Sequence, residues 1–265
     1  MSAALPPLAF DLLVYPGLLW LLLLVLGVGR IAGGPASGGQ AVRGMVEALA
    51  GRPRASAIAV ACVTLALLCL PWPGLPGRSG WEPRPWAMWA LVEVSALLLL
   101  LPGLAGTSAA SRAAVRELQM GVSARLPLWL VTSLLLLPGS SPSPAILLLA
   151  LLAGVFALPV AGRWWIFDSS SLPGDVMLSE MEAALLQLHG RVHTIFWLAL
   201  LATVLVPLPH VDPWIELLLR GGIIITGAAL VRVARGRFVT ATVPVALRWC
   251  WWLALPCAVA ALFLS

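Results

Sequence analysis

Eight apolar runs, at roughly 10–29, 55–72, 86–104, 122–138, 144–162, 192–208, 214–232 and 240–264, take up most of the 265-residue chain. A helix needs about 20 apolar residues to cross a bilayer. The runs are continuous rather than alternating, so the pattern predicts helices in lipid and not the strands of a membrane barrel. The runs at 122–138 and 192–208 are short, and reach spanning length only if the amphipathic segments before them continue into them. Proline and glycine mark several ends, as in PWPGLPG (71–77), LPG (101–103), LPGSSPSP (137–144) and PLPHVDP (207–213). The expectation is an all-α polytopic membrane protein, one integral membrane domain over 1–265. It has about eight transmembrane helices, with amphipathic helices lying at the cytoplasmic interface. The first run has no basic segment before it and no small-residue cleavage site after it, and is expected to be a span rather than a removed leader.

Composition agrees. Hydrophobic residues make up 61% and charged residues 10% of the chain, whereas a water-facing domain carries about a quarter charged residues. All 16 basic residues are arginine, and their distribution sets the orientation. The odd-numbered loops and their helix ends hold Arg30, Arg43, Arg52, Arg54, Arg112, Arg116, Arg125, Arg163, Arg191, Arg232, Arg235 and Arg237. The even-numbered loops hold Arg78 and Arg84. Twelve against two is a positive-inside bias that puts the odd loops in the cytoplasm and both termini outside. The long loops, at about 31–54, 105–121 and 163–191, are then cytoplasmic, which predicts that something docks on that face. The net charge of +5 is accounted for by topology and implies no nucleic-acid partner.

The candidate chemistry is sparse. Cys62, Cys69, Cys250 and Cys257 form no CxxC and read as small apolar residues. His189 and His193 stand one helical turn apart, a spacing that suits a shared metal or haem. No third ligand lies near them in sequence, His210 falls on the opposite side, and both are placed near the cytoplasmic end. Glu93 lies inside the third run, where an ionisable group is expensive and marks function by default; Arg248 in the eighth run is its candidate partner. Glu216 and Arg220 have the spacing of a local ion pair. The segment 31–49 is glycine-rich and then amphipathic, with Val42, Met45, Val46 and Leu49 on one face. In RAAVRELQMGVSARLP (112–127) Arg112 and Arg116 are one turn apart, while Val115, Leu118, Val122 and Leu126 share an apolar face. It reads either as an interfacial helix or as one that lines a site or binds a partner. The fifth loop is rich in ionisable groups, and Ser179 to Glu182 has the pattern of a capped helix start. No nucleophile–base pair, phosphate loop, dinucleotide fingerprint or internal repeat is present, so the chain is not expected to be catalytic by itself.

Taken in order, these segments resemble a known family. YPGLLW (15–20) opens the first span, GGPASGGQ (33–40) leads to an amphipathic helix, SRAAVRELQMGVSARLP (111–127) precedes the fourth span, and GRWWIFD (162–168) and SEMEAALL (179–186) precede the sixth. The order resembles the eight-helix membrane subunit that links the two arms of respiratory complex I. The resemblance is to its shorter form, found in membrane-bound [NiFe] hydrogenases and formate hydrogenlyase. The resemblance is carried chiefly by Tyr15, Pro16 and Gly17, by Arg116 and Glu117, and by Leu126 and Pro127. It implies a non-catalytic subunit of a bacterial or archaeal cytoplasmic membrane. Such a subunit seats a hydrogenase-like or quinone-reducing peripheral module on the cytoplasmic face, and couples it to antiporter-like, proton- or sodium-translocating subunits.

By the same resemblance, Glu93, Glu117, Arg125, Asp168, Glu180 and Glu182 belong to a coupling path or the remnant of a quinone cavity, and Arg43, Arg112, Arg116 and Arg163 to the docking face. This chain itself would bind no cofactor or metal. Quinone would sit at the cytoplasmic interface, and Fe–S clusters and the NiFe centre would lie in partner subunits; lipid is the remaining partner. Two departures stand out. Arg125 occupies the position where the family commonly has an acid before Leu-Pro, and QLHGRVH (187–193) replaces a Glu-Tyr-Ser-Gly-like segment. A stand-alone permease with a cavity lined by Glu93 and Arg248, and a haem-binding anchor, are the competing readings.

Overall fold

A computed structural model describes residues 23–28, 55–70, 85–136, 143–162, 180–205, 212–237 and 242–265. Most of the first run, the segment 31–49 and residues 163–179 of the fifth loop lie outside the described residues. All regular structure among the described residues is helical. A helical stretch at 23–28 is followed by α1 (Ala55–Leu68), α2 (Pro85–Leu104), α3 (Ser108–Leu135) and α4 (Pro144–Ala161). Then come α5 (Glu180–Leu205), α6 (Pro213–Arg237) and α7 (Val243–Arg248). A π-helical turn (Trp249–Ala254) joins α7 to α8 (Leu255–Phe263).

Prolines open several of these helices, at positions where the missing N–H costs nothing. Pro85 and Pro213 are first residues, and at α4 the Ser143 hydroxyl also accepts from the Ile146 amide at 3.4 Å, capping the turn that Pro144 starts. Among the described residues, four helices are long and apolar enough to cross a membrane: Trp86–Leu104, Ser111–Leu135, Pro144–Ala161 and Val243–Phe263. The two short runs do extend into the amphipathic segments before them. α3 is one helix of 28 residues, about 42 Å at 1.5 Å per residue, and α5 one of 26. The segment 112–127 is therefore no separate helix lying in the interface. It is the first half of a helix that continues into the bundle.

The π turn has a local cause. Pro256 offers no N–H to the carbonyl one turn back, and its ring would collide with that carbonyl in a regular α-helix. Widening the turn at Trp249–Ala254 relieves the collision.

α5 is the central helix. Ile195, Phe196, Trp197, Leu198, Ala199 and Leu200 are all buried, so this stretch is enclosed all round rather than along one stripe. α1 and α6 pack against α5, α2 packs against α1 and α3, and α4 is held by α3, the π turn and α8. Lipid offers apolar surface as readily as another helix does, so close packing of small residues must hold such helices together. Ala150, Ala153 and Ala157 of α4 and Ala258 and Ala261 of α8 are almost wholly buried and serve this purpose. Outward-facing Trp86, Leu97 and Leu101 on α2, Leu218 and Leu230 on α6, and Phe263 on α8 present the apolar exterior that a bilayer covers.

Gly227 of α6 meets α5 so closely that an added Cβ would come within 2.6 Å of Leu198 Cδ2. Gly227→Val should lower the thermal stability of the detergent-solubilised chain by about 1–3 kcal/mol through overpacking. Adding Leu198→Ala should return part of that loss, because it vacates the space the valine needs. A Gly227→Val variant that melts with the wild type would show that α5 and α6 do not pack at this distance.

Candidate functional site

Glu93 is the only acid in α2, between Val92 and Val94. A carboxylate there requires a counter-charge, and α3 supplies one. Arg125 donates from Nε to Oε1 at 2.7 Å and from Nη2 to Oε2 at 2.9 Å. This is the two-pronged arrangement that a planar guanidinium can make and an ammonium cannot. Trp129, one turn beyond Arg125, adds a third bond from its indole N–H to Oε1 at 3.1 Å. The arginine side chain is 7% exposed and the glutamate 26%, so both charges are largely withdrawn from solvent. Gly121, one turn before Arg125, makes room for it: a Cβ there would stand 2.5 Å from Nη1.

A second set of polar groups lies on the other side of α2. Ser95 is two residues from Glu93, about 200° around the helix. Its hydroxyl donates to the Ala59 carbonyl of α1 at 3.0 Å and contacts His189 Nε2 of α5 at 2.7 Å. His189 stacks on His193, with ring centroids 5.5 Å apart and planes 20° from parallel. His193 Nε2 in turn accepts from the indole N–H of Trp197 at 3.0 Å. Trp197 closes the circuit, since its ring lies 5.7 Å from that of Trp129, with Phe196 against both. One connected set of charged, polar and aromatic side chains thus joins α1, α2, α3 and α5.

Three sequence expectations change here. Glu93 pairs with Arg125 and not with Arg248, because Arg248 ends α7 on an exposed face while α3 runs directly beside α2. Arg125 is accordingly no loop residue: it sits 18 residues into α3, in the bundle, and without it the arginine bias stands at eleven to two. His189 and His193 do not lie at a helix end either. The bond to Ser95, eleventh of the 20 residues of α2, places His189 beside the middle of that helix.

Both Nε2 atoms serve hydrogen bonds and the rings stack instead of converging, an arrangement unlike a shared metal or axial haem pair. No group of three or more His, Cys, Asp or Glu suited to a metal occurs among the described residues. Glu93 and Arg248, the two residues expected to line a permease cavity, are not paired with each other.

Of the other candidates, Arg112 and Arg116 are exposed on the first half of α3 and Glu117 is half-buried there. Glu117 is eight residues, about 12 Å, from Arg125 along the helix. Glu180 and Glu182 lie in the first turn of α5, as the capping pattern predicted for its start, while Ser179 is outside the described residues. Asp168, Arg43 and Arg163 are outside them as well. Glu216 and Arg220 form the expected ion pair, and Arg220 also donates to Thr203 of α5 at 3.3 Å. Cys250 is buried, and Cys62, Cys69 and Cys257 are partly so; none is in a disulfide.

Ser95, Trp129 and Trp197 were not singled out from the sequence. The spacing His189–His193–Trp197 at i, i+4, i+8 is visible as one face of a helix, and Arg125–Trp129 repeats the interval. What the sequence lacks is the register that sets those faces against α2. No family model matches the chain, and no curated protein matches it.

Removing either charge leaves its partner buried alone. Glu93→Leu and Arg125→Leu should each lower stability by about 3 kcal/mol, the small end of the range for broken buried pairs, because Glu93 retains some exposure. The double variant Glu93→Leu/Arg125→Met should recover most of the loss. Denaturant unfolding in mixed micelles measures all three, and a double variant no better than either single one would rule out the pair as the source.

Proposed function

We propose that the chain is a non-catalytic integral membrane subunit of a complex I-like or group 4 [NiFe]-hydrogenase-like redox complex. It seats an electron-transfer module on the cytoplasmic face and couples that module to ion-translocating membrane subunits. The observation that carries the reading is the Glu93–Arg125 pair near the middle of α2, braced by Trp129. An ion pair held at that depth marks a functional element before a structural one, because apolar residues would pack there at less cost. It falls at the position before Leu126 and Pro127 where the resembled family commonly places an acid.

Here the acid comes from the neighbouring helix, and an arginine stands in its place. A single negative charge is thereby replaced by a neutral pair, and any charge-driven coupling must work through the pair's geometry. The exposed Arg112 and Arg116, on a helix about 42 Å long that exceeds a hydrocarbon core of about 30 Å, suit contact with a peripheral module. In this reading eight helices span the membrane with both termini outside, and the membrane is the cytoplasmic one of a bacterium or archaeon.

A tagged chain, purified from its own host in mild detergent, should carry Fe–S or NiFe-hydrogenase-like subunits together with antiporter-like membrane subunits, identified by mass spectrometry. Arg112→Glu/Arg116→Glu should reduce recovery of the peripheral subunits while leaving the membrane partners. Recovery of the chain alone under conditions that keep membrane complexes intact would sink the proposal.

A further inference from the structure

Arg125 buries its charge against Glu93, but the arginine of the eighth apolar run has no such partner. Arg248 lies five residues inside the candidate span Val243–Phe263, on an exposed face. Among the described residues it makes no ion pair or hydrogen bond. A guanidinium set in a lipid-facing span is costly and calls for an anion. Side chains on a helix lean towards its start, so Arg248 reaches back to the level where α7 enters the bilayer.

Across from it stands α3. The indole N–H of Trp251 donates to Ser123 Oγ at 3.1 Å. Val131 with Ala258, and Leu134 with Ala261, share the next layers of packing, so α3 and the α7–α8 pair run parallel. Arg248, three residues before Trp251, is therefore level with Met120, three before Ser123. The exposed Gln119 and Arg116 lie within about 40° of Ser123 on the same face of α3, Arg116 about 6 Å nearer the helix start. Glu117 is about 120° around α3 from Ser123, on another side of the helix.

We propose that Arg248 and Gln119, with the indoles of Trp251 and Trp252, form a binding site for the headgroup of an anionic phospholipid. It belongs to the leaflet in which α7 begins, by the arginine bias of the loops the cytoplasmic one. Two N–H groups of the guanidinium match two oxygens of a phosphate diester, and Gln119 offers an amide donor at the same level. Trp252 is 77% exposed, four residues after Arg248 and within about 40° of it around the helix. Trp251 remains 51% exposed although its N–H is bonded to Ser123. Two indoles just inside a cation are the arrangement met at the boundary between headgroups and acyl chains.

Net negative charge is what the cleft selects. The cationic end of a zwitterionic lipid would face Arg248 and Arg116, whereas a phosphatidylglycerol headgroup brings one negative charge and no positive one. Basic clefts between spanning helices take such headgroups. An inorganic phosphate ion matches the guanidinium equally well but has no acyl chains to lie along the indoles, so a lipid fills the site as a free ion cannot. The inference rests on helices crossing a bilayer and not on the redox reading, and stands whether or not partner subunits are recovered.

Native mass spectrometry of the full chain in detergent tests this, with dioleoyl phosphatidylglycerol, dioleoyl phosphatidylcholine and inorganic phosphate added separately at equal concentration. Phosphatidylglycerol should be retained about tenfold more strongly than phosphatidylcholine, the worth of one charged hydrogen-bonded contact, and phosphate should leave no adduct. Arg248→Gln should remove that preference, while Arg191→Gln on α5, the same loss of charge elsewhere, should keep it. A photoreactive phosphatidylglycerol should label the segment 243–253 of the wild type, and this arm decides the matter if Arg248→Gln fails to fold. Equal retention of the two lipids, a preference unchanged in Arg248→Gln or lost equally in Arg191→Gln, or labelling confined to other segments would each overturn the proposal. A phosphate adduct that disappears in Arg248→Gln would make this a site for a free anion and overturn the lipid assignment.

Discussion

A charge placed in the middle of an apolar helix must find an opposite charge of the right shape, and much of this bundle follows from meeting that demand. Glu93 fixes the register of α2 against α3, because a two-pronged bond with distances of 2.7 and 2.9 Å tolerates little sliding or rotation. Apolar contacts alone would not do this. Leucine and valine faces pack nearly as well one turn away, and in lipid no hydrophobic force chooses between registers. Gly121 and Trp129, one turn to either side of Arg125, then take their identities from the pair: one must be small beside the guanidinium, and the other must donate to the carboxylate.

The same demand reaches α5 through the second face of α2. With Glu93 turned towards α3, Ser95 is turned towards α1 and α5, and its single hydroxyl serves both, donating to Ala59 and accepting from His189. The central helix is thus positioned by hydrogen bonds at its polar half and by enclosed apolar packing over Ile195 to Leu200. Trp197 belongs to both halves, with its ring in the core and its N–H on His193. Arg220, bonded to Thr203, repeats the device on a smaller scale between α6 and α5.

The helices were legible in the sequence and their partners were not. Run length and proline-marked starts located α1 to α6, and the arginine pattern marked segments 112–127 and 180–191 as distinct from the oily runs. Their continuation into long single helices followed from span length. Glu93 was recognisable as exceptional by its surroundings alone. Its partner was misassigned because Arg248 and Arg125 are equally plausible from composition, and only the adjacency of α2 and α3 separates them. Counting Arg125 as a loop residue had the same origin: a positive charge near a span boundary looks the same whether it leaves the membrane or turns into the bundle. The histidine–tryptophan face was visible as a spacing, but a spacing does not reveal what stands opposite. Pro256 was not singled out from the sequence, and the π turn before it was not foreseen.

The choice of side chains in the network separates fixed from variable charge. Arg125 holds Glu93 through two parallel bonds, a geometry that the point-like ammonium of a lysine could not make. Histidine is the residue type whose charge changes near neutral pH, and the two histidines here are set apart from the ion pair by two indoles that carry no charge. The close-packed aromatic layer of Trp129, Phe196 and Trp197 keeps the ion pair and the histidines apart while joining them by contact. A single acid at position 125 could not make this arrangement, because Glu93 would then face a second carboxylate in place of the guanidinium it binds.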